Sequence, residues 1–315
     1  MSTLFLAGIQ LLHVPDGFLN IPISVLCWVV TLIVLYFAVK QAQDDFDERL
    51  VPLAGIMAAF IFAAQMLNFP VAGGTSGHLI GATLSFVVLG PWVGTLAMTA
   101  VISLQALIFQ DGGLVVMGAN ILVMGIVPGF VGYGLFQMVK NQSRGVQLGA
   151  TAVAAWLSVM LAALVTALLL GFSGTTALSV AIPAMLGVHA LIGLGEALIT
   201  VAALSFIMQT RPQLLTDDAP AGSGKWIVSG IILALLVVLL APFASGSPDG
   251  LEWVAEQAGF LHTAVNAPFQ LLPDYTIPFL GNGGASTIVA GIVGVLVVAG
   301  LMYTLTRNLR KSEHH

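Results

Sequence analysis

The chain has 315 residues, of which 58% are hydrophobic and only 7% are charged, and its mean hydropathy is +1.03. A soluble domain carries roughly 25% charged residues, so this composition excludes a water-soluble protein and indicates an all-α protein in a lipid bilayer. The net charge of −5, without a basic patch, excludes a nucleic-acid partner, and the single cysteine excludes a disulfide framework or a CxxC metal site.

Apolar stretches recur along the chain, and a membrane-spanning helix needs about 20 such residues. The run at 79–110 is interrupted at Gly90-Pro91, and we expect a tight hairpin of two short helices there. We also expect Pro183 to break the long stretch in which it lies. Counting 79–110 twice predicts about nine spans, at 20–39, 52–68, 79–110, 114–139, 147–170, 177–207, 226–243 and 286–306.

The basic residues test this count. With nine spans and an N-terminus outside, all of them lie on one face, which the positive-inside rule makes cytoplasmic, together with the C-terminus. Treating 79–110 as one helix would scatter them over both faces. The nine residues are Lys40, Arg49, Lys140, Arg144, Arg211, Lys225, Arg307, Arg310 and Lys311.

A polar linker at 210–225, rich in Pro, Gly, Ser and Asp, indicates a domain boundary. Residues 1–12 are apolar but lack a basic start, and they make a poor secretory signal. We therefore predict two membrane units in a cell-membrane protein. The predicted parts are a leader or misassigned start at 1–12, a seven-span unit at 13–209, the linker, a two-span unit at 226–306 and a cytoplasmic tail at 307–315.

Two histidines are candidate metal ligands. His13 precedes Val-Pro-Asp-Gly at the predicted outer entrance of the first span, and His78 ends GGTSGH at the outer entrance of the third. Neutral imidazole is the commonest ligand of transition metals, and glycine-rich loops on a helical scaffold often carry binding sites. The alternative is that each is an interfacial histidine with ordinary hydrogen bonds.

His189 and Glu196 are ionisable residues within a predicted span. They lie seven residues apart, about two helical turns, so they face one side of one helix. Ionisable groups inside a membrane usually face the protein interior or a cavity. One interpretation is a role in coupling or in supporting a site; the other, which we favour, is an internal hydrogen-bond tether between helices.

No nucleotide-binding or catalytic motif is present. The sequence has no GxxxxGK[ST] loop, so we expect no ATP site, and it has no GxSxG, HExxH or paired-carboxylate pattern. We therefore expect a transport subunit without catalytic residues. The rival interpretations are a stand-alone secondary transporter or channel for a metal or small solute, and an intramembrane enzyme.

Several motifs stand in a fixed order along the chain: HVPDGFL (13–19), AAFIFAAQMLNFPVAGGTSGHL (58–79), LGPW (89–92), QALIFQDGGL (105–114), GAN (118–120) and HALIGLGEALIT (189–200). Together they resemble the CbiM/NikM family, the substrate-binding (S) components of energy-coupling factor transporters for cobalt and nickel. SPDGLEWVAE at 247–256 resembles the PDGLE segment of the companion component, CbiN or NikN, so the chain looks like a fusion of the two.

The resemblance implies a seven-helix bundle that captures Co(II) or Ni(II) near the outer face. It implies two kinds of partner: a transmembrane coupling component of the CbiQ/NikQ type and a cytoplasmic ATPase pair of the CbiO/NikO type. In the family the metal is held by the terminal amine, the next histidine's amide nitrogen and imidazole, and the imidazole of GGTSGH, which here implies His13 and His78. Such a flat nitrogen site suits Ni(II), Cu(II) or low-spin Co(II) and disfavours Zn(II).

The sequence departs from the family at the N-terminus, where the family begins Met-His. Here Leu12 precedes His13, and eleven further residues precede Leu12. Either the Leu12 codon is the true initiator, which we favour, or residues 1–11 or 1–12 are removed by a protease, or the leader stays and the Leu12 backbone nitrogen or another donor replaces the amine.

Three polar residues near the two histidines are candidates for orienting the imidazoles. These are Asp16 and the hydroxyl groups of Thr75 and Ser76. The alternative for Asp16 is that it caps a helix that starts near Phe18.

Overall fold

The computed structural model describes residues 13–215, 224–281 and 283–310, so the predictions for 1–12, for most of the linker and for the end of the tail lie outside the described residues. The described chain is a bundle of α-helices with one antiparallel strand pair, β1 (Phe69–Val71) and β2 (Thr75–Gly77). The helices are α1 (Ile21–Asp44), α2 (Leu50–Gln65), α3 (Ala82–Leu104), α4 (Met117–Asn120), α5 (Val127–Gln137), α6 (Arg144–Phe172), α7 (Leu178–Thr210), α8 (Gly224–Val238), α9 (Gly250–Gln257) and α10 (Gly284–Asn308). Two π-helical segments, Gln105–Phe109 and Ile121–Ile126, continue α3 and join α4 to α5.

The helical, multi-pass character predicted from composition is confirmed. Within the described residues, seven helical stretches are long and apolar enough to cross a membrane, and α2 is a shorter apolar helix of 16 residues. The outside N-terminus stays a prediction, whereas the count of nine requires 79–110 to cross twice, and the first arm of that segment is too short to do so. The seven stretches are Ile21–Asp44, Ala82–Phe109, Met117–Gln137, Arg144–Phe172, Leu178–Thr210, Trp226–Phe243 and Gly284–Asn308.

The chain does turn back at Gly90, where φ is 77° and ψ is 168°. A Cβ added at Gly94 would lie 3.1 Å from the Cα of Phe86, two positions that a straight helix would hold about 12 Å apart. The two arms are unequal, however. The first, at 82–89, is only about 12 Å long and cannot cross a bilayer, whereas the second continues to Phe109.

Pro183 does not break α7, contrary to our prediction. The helix is continuous over Leu178–Thr210, with Pro183 as its sixth residue. A proline so close to the start of a helix removes only the hydrogen bond to the carbonyl four residues earlier, in the first turn. This continuous helix contacts β1, β2 and α9 and continues to Thr210.

The C-terminal unit packs on the first unit at two levels. Its helices α8 and α10 pack on α2, and glycines allow this approach: a Cβ at Gly294 would lie 2.1 Å from the Phe62 ring, and one at Gly230 would lie 2.5 Å from Ile56. The segment between α8 and α10 includes α9, which packs on α7 and contacts β2. The second unit therefore covers the end of the bundle that carries the two histidines.

Candidate metal centre

His13 and His78 face each other across a buried cavity. His13 immediately precedes the turn into α1, and His78 immediately follows β2; their relative exposures are 2% and 9%. The ring centroids are 5.7 Å apart and the ring planes are inclined by 56°. With metal–nitrogen bonds of about 2.0 Å, two imidazoles on one ion have centroids roughly 4.5 to 6.3 Å apart, depending on the bond angle. The separation therefore fits a shared metal ion.

The cavity between the two rings is also lined by Asn120, His189 and Asp249. Its free volume for the centres of water-sized molecules is about 70 Å³. Each water needs roughly 10–15 Å³ on this measure, so the space holds an ion with a few waters. The cavity is therefore large enough for a hydrated ion, and the polar groups named here stand out in a wall that is otherwise mostly apolar.

Asp111 fixes the His13 ring. The imidazole Nδ1 lies 2.6 Å from the Asp111 carboxylate Oδ1, and Asp111 is only 4% exposed. Both ring nitrogens are buried and neither makes a hydrogen bond among the described residues, so Nδ1 has the carboxylate as an ion-pair neighbour and Nε2 has no such neighbour. In this orientation Nε2 is the nitrogen left for a metal. The amide–Nδ1 chelate that the family resemblance implies would need the ring to rotate by half a turn.

Asp111 was not among the candidate residues from the sequence. It follows α3 and its π-helical continuation, where Gln110 adopts a left-handed conformation with φ of 55° and ends the helix. The DGG motif after an apolar span was a usable signal, because an acidic residue at the end of a span on the same face as two histidines is a natural partner for imidazole.

The loop at 13–16 is tied to α4 through its backbone. The Asn120 side chain accepts from the Val14 N–H (3.0 Å) and donates to the Val14 carbonyl (2.9 Å). The Asp16 carboxylate accepts from the three N–H groups of 114–116 at 2.9 to 3.1 Å, which are the free donors that precede α4. The loop that carries the histidine is therefore held at two points.

Asp16 consequently plays neither of the parts proposed for it. All its side-chain hydrogen bonds among the described residues go to that backbone, none to an imidazole. The helix expected near Phe18 begins instead at Ile21, and Asn20 caps it by accepting from the Ile23 N–H at 3.0 Å.

Thr75 and Ser76 face the C-terminal unit. The Thr75 hydroxyl donates to the Pro248 carbonyl (3.0 Å) and the Ser76 hydroxyl to the Ser247 carbonyl (2.8 Å), while the Ser76 N–H donates to the Pro248 carbonyl (2.8 Å). Asp249 then caps α9 by accepting from the N–H three residues on, and burial raises its pKa well above the usual range. The hydroxyls thus tie the GGTSGH loop to the PDGLE segment.

His189 and Glu196 lie on one side of α7, as their spacing indicated. The His189 Nδ1 atom lies 2.8 Å from the Met185 carbonyl oxygen, and the ring lines the cavity. The fully buried Glu196 carboxylate accepts from the N–H groups of Ile80 (2.6 Å) and Gly81 (2.9 Å). Glu196 therefore forms an internal tether, next to the histidine that ends GGTSGH.

Comparison with known proteins identifies two family matches. The family described as the cobalt uptake substrate-specific transmembrane region, CbiM, matches residues 13–214, and the PDGLE domain matches residues 224–311. No group of three or more His, Cys, Asp or Glu side chains in the described part of the chain is placed to hold a metal ion.

Relatives resemble the chain over nearly its whole length. A protein of Archaeoglobus fulgidus that carries the provisional name fused nickel transport protein NikMN is 37% identical over 302 residues, 95% of this chain and 99% of that protein. The fused nickel transport protein NikMN of Rhodobacter capsulatus is 28% identical over 92% of this chain and 96% of its own length. A crystal structure of a truncated transition metal transporter superposes with a TM-score of 0.57 at 34% identity, covering 62% of this chain and 98% of the other. The chain belongs to the CbiM family of cobalt and nickel transport components and carries a PDGLE domain in the same polypeptide.

Proposed function

We propose that the chain is the metal-capturing component of an energy-coupling factor importer. It binds one Co(II) or Ni(II) ion at the outer face between His13 and His78, and the ion is delivered inward at the expense of ATP hydrolysed by partner subunits. The observation that carries the proposal is the pair of imidazoles, 5.7 Å apart across a buried cavity, in a chain of this family.

The donor set favours these two metals. Two imidazoles supply two nitrogens, and once the His13 ring has turned Nδ1 toward the ion, the backbone nitrogens at Leu12 and His13 would supply two more in one plane. A flat four-nitrogen site suits Ni(II) and low-spin Co(II) and disfavours the tetrahedral Zn(II) ion. Pro15 has no N–H, which limits how far amide ligation extends along the chain.

The fourth donor depends on the mature N-terminus. If translation starts at the Leu12 codon, the new terminal amine and the His13 amide close a five-membered chelate ring. N-terminal sequencing and intact mass of the native protein decide this. A sequence beginning Met-His-Val-Pro supports the proposal, and a retained Met1-Ser2 would mean that another donor replaces the amine.

The energy has to come from other polypeptides, because the sequence has no phosphate-binding loop. We propose a transmembrane coupling component of the CbiQ/NikQ type and an ATPase pair of the CbiO/NikO type, docked at the cytoplasmic ends of the helices. The unit at 13–209 holds the metal, and the two-span unit at 226–306 covers it. Co-purification of both partners with the tagged chain from the native membrane tests this assembly.

The decisive experiment is metal analysis of the purified protein after growth with cobalt and nickel. We compare the wild type with His13→Ala, His78→Ala and a matched control, His262→Ala, whose exposed imidazole bonds its own turn at 2.9 Å from the Gly259 carbonyl. One equivalent of metal, lost in the first two variants and kept in the third, supports the site. A metal-free wild type, or metal that survives both changes, favours a solute transporter instead.

A further inference from the structure

We propose that Tyr275, in the PDGLE domain, is a positioning residue for the metal ligand His13 and acts through Asp111. The proposal rests on the proposed function, since it assigns a supporting residue to the same site. It gives the fused second unit a direct part in shaping the metal centre.

One carboxylate joins the two side chains. The Tyr275 hydroxyl donates to Asp111 Oδ2 at 2.5 Å, and Asp111 Oδ1 lies 2.6 Å from His13 Nδ1. The three residues are buried, with exposures of 7%, 4% and 2%. The Tyr275 hydroxyl thus holds Oδ2 by a hydrogen bond, while Oδ1 lies at ion-pair distance from the imidazole, and water does not compete for either contact in this buried site.

The tyrosine ring is itself held in place. It stacks on Phe109, with centroids 4.8 Å apart and planes at 19°, and it tilts against Phe62 at 6.0 Å. Phe109 belongs to the π-helical turn that leads to Asp111. The ring and the carboxylate are therefore positioned by the same short stretch of chain.

The backbone around Tyr275 is strained, and hydrogen bonds hold it in place. Asp274 and Tyr275 have φ values of 49° and 53°, a left-handed conformation that is costly for residues other than glycine. The Leu272 N–H donates to the Ile108 carbonyl (3.0 Å), and the Leu271 N–H to the Gln110 side chain (3.1 Å). Such strain persists only where surrounding contacts enforce it, and here it presents the hydroxyl to Asp111.

This arrangement is the one that orients metal-binding histidines in general. A carboxylate that holds one ring nitrogen sets the tautomer and leaves the other nitrogen for the metal. In the orientation that the structure shows, Asp111 lies beside Nδ1 and leaves Nε2 for the ion. Without the Tyr275 hydroxyl, the carboxylate has a free oxygen and can rotate, so the imidazole loses its fixed direction.

A double-mutant cycle on the full-length protein tests the chain of contacts. We measure Ni(II) affinity by competition with a chelator, and the visible absorption of bound Ni(II), for the wild type, Tyr275→Phe, Asp111→Asn and the double variant. Loss of a partner of this type lowers metal affinity about 10- to 100-fold. We expect a loss in that range for each single variant, a shifted absorption band, and a double variant no weaker than the weaker single one. Tyr303→Phe, an exposed tyrosine of α10, is the control and should bind like the wild type.

The possible outcomes separate the two proposals. If the affinity losses of the two single variants multiply in the double variant, the positioning role is overturned while the metal site stays intact. A Tyr275→Phe protein with wild-type affinity and spectrum would have the same meaning. A wild type that binds neither Ni(II) nor Co(II) would instead refute the proposed function. Tyr275→Phe keeps the ring stack; if it nevertheless fails to fold, Asp111→Asn alone decides. Asp111→Asn removes the negative charge beside the His13 ring, so an unchanged Ni(II) spectrum in that variant would overturn the proposal.

Discussion

The Glu196 carboxylate lies 2.6 Å from the backbone nitrogen of Ile80, and its other oxygen accepts from the Gly81 N–H at 2.9 Å. This contact crosses the bundle from the middle of α7 to the start of α3, two residues after His78. Because Gly81 has φ of 76° and ends the loop before the helix, its N–H group has no helical partner. The buried glutamate therefore accepts from two N–H groups that would otherwise have no hydrogen-bond acceptor in the protein interior.

Replacing Glu196 by alanine should destabilise the protein and loosen the His78 loop. Each buried N–H that loses its acceptor costs about 1–3 kcal/mol, so we expect a fall in unfolding free energy of that order or more, with weaker metal binding. Thermal unfolding in detergent, with and without Ni(II), measures both. The matched control is Glu256→Ala on the exposed side of α9. Equal melting temperatures for the two variants would contradict the tether.

The parts of the fold that depend on local pattern could be predicted from the sequence. Hydropathy predicts the membrane helices. The Gly90-Pro91 pair predicts the turn in α3, because a glycine followed by a proline interrupts a helix whatever surrounds it. The proximity of His13 and His78 followed from a topology in which both come at the outer ends of spans. The resemblance to the CbiM/NikM family, read from ordered motifs, is confirmed by the family match.

Side-chain partners distant in sequence could not be predicted. Tyr275 and Asp111 are 164 residues apart, and no periodicity or motif links them. The sequence makes the Ser76 hydroxyl a candidate for orienting an imidazole, yet in the structure it donates to a carbonyl in the C-terminal unit. A hydroxyl rotates toward whichever acceptor covers it, and the covering segment is known only from the fold.

Asn120→Asp should weaken the hold on the loop that carries His13. The amide donates to the Val14 carbonyl and accepts from the Val14 N–H, whereas a carboxylate can only accept and would oppose the carbonyl. We expect a loss of about 1–3 kcal/mol in stability and weaker Ni(II) binding. Asn141→Asp, in the exposed loop before α6, makes the same change where it should have little effect. Unaltered Ni(II) affinity in Asn120→Asp would show that the loop does not need this contact.

Gly113→Ala should displace the same loop by steric overlap. A Cβ at Gly113 would lie 2.2 Å from Asp16 Oδ1 and 2.3 Å from the Asp16 backbone nitrogen, so the backbone itself has to move. Overpacking of this kind typically costs about 1–3 kcal/mol. We expect reduced metal content as well as a lower melting temperature. Gly134→Ala in α5 meets nothing within 4 Å and serves as the control. A Gly113→Ala protein with a full equivalent of metal would contradict the tight packing of loop and turn.

Asp274 should make stability depend on pH. Burial, and then the negative charge of Asp111, raise the pKa of Asp274 from 3.8 to about 7. The folded state therefore favours the protonated carboxyl, and its contribution to stability is fully present below about pH 4 and is lost as the pH rises through 7. Asp274→Asn keeps the neutral shape at every pH, so its melting temperature should match the wild type near pH 4 and exceed it by a growing amount up to pH 8. Melting curves at half-unit steps between these values measure the difference. Parallel curves for the two proteins would mean that the carboxyl is already ionised in the folded state at pH 5.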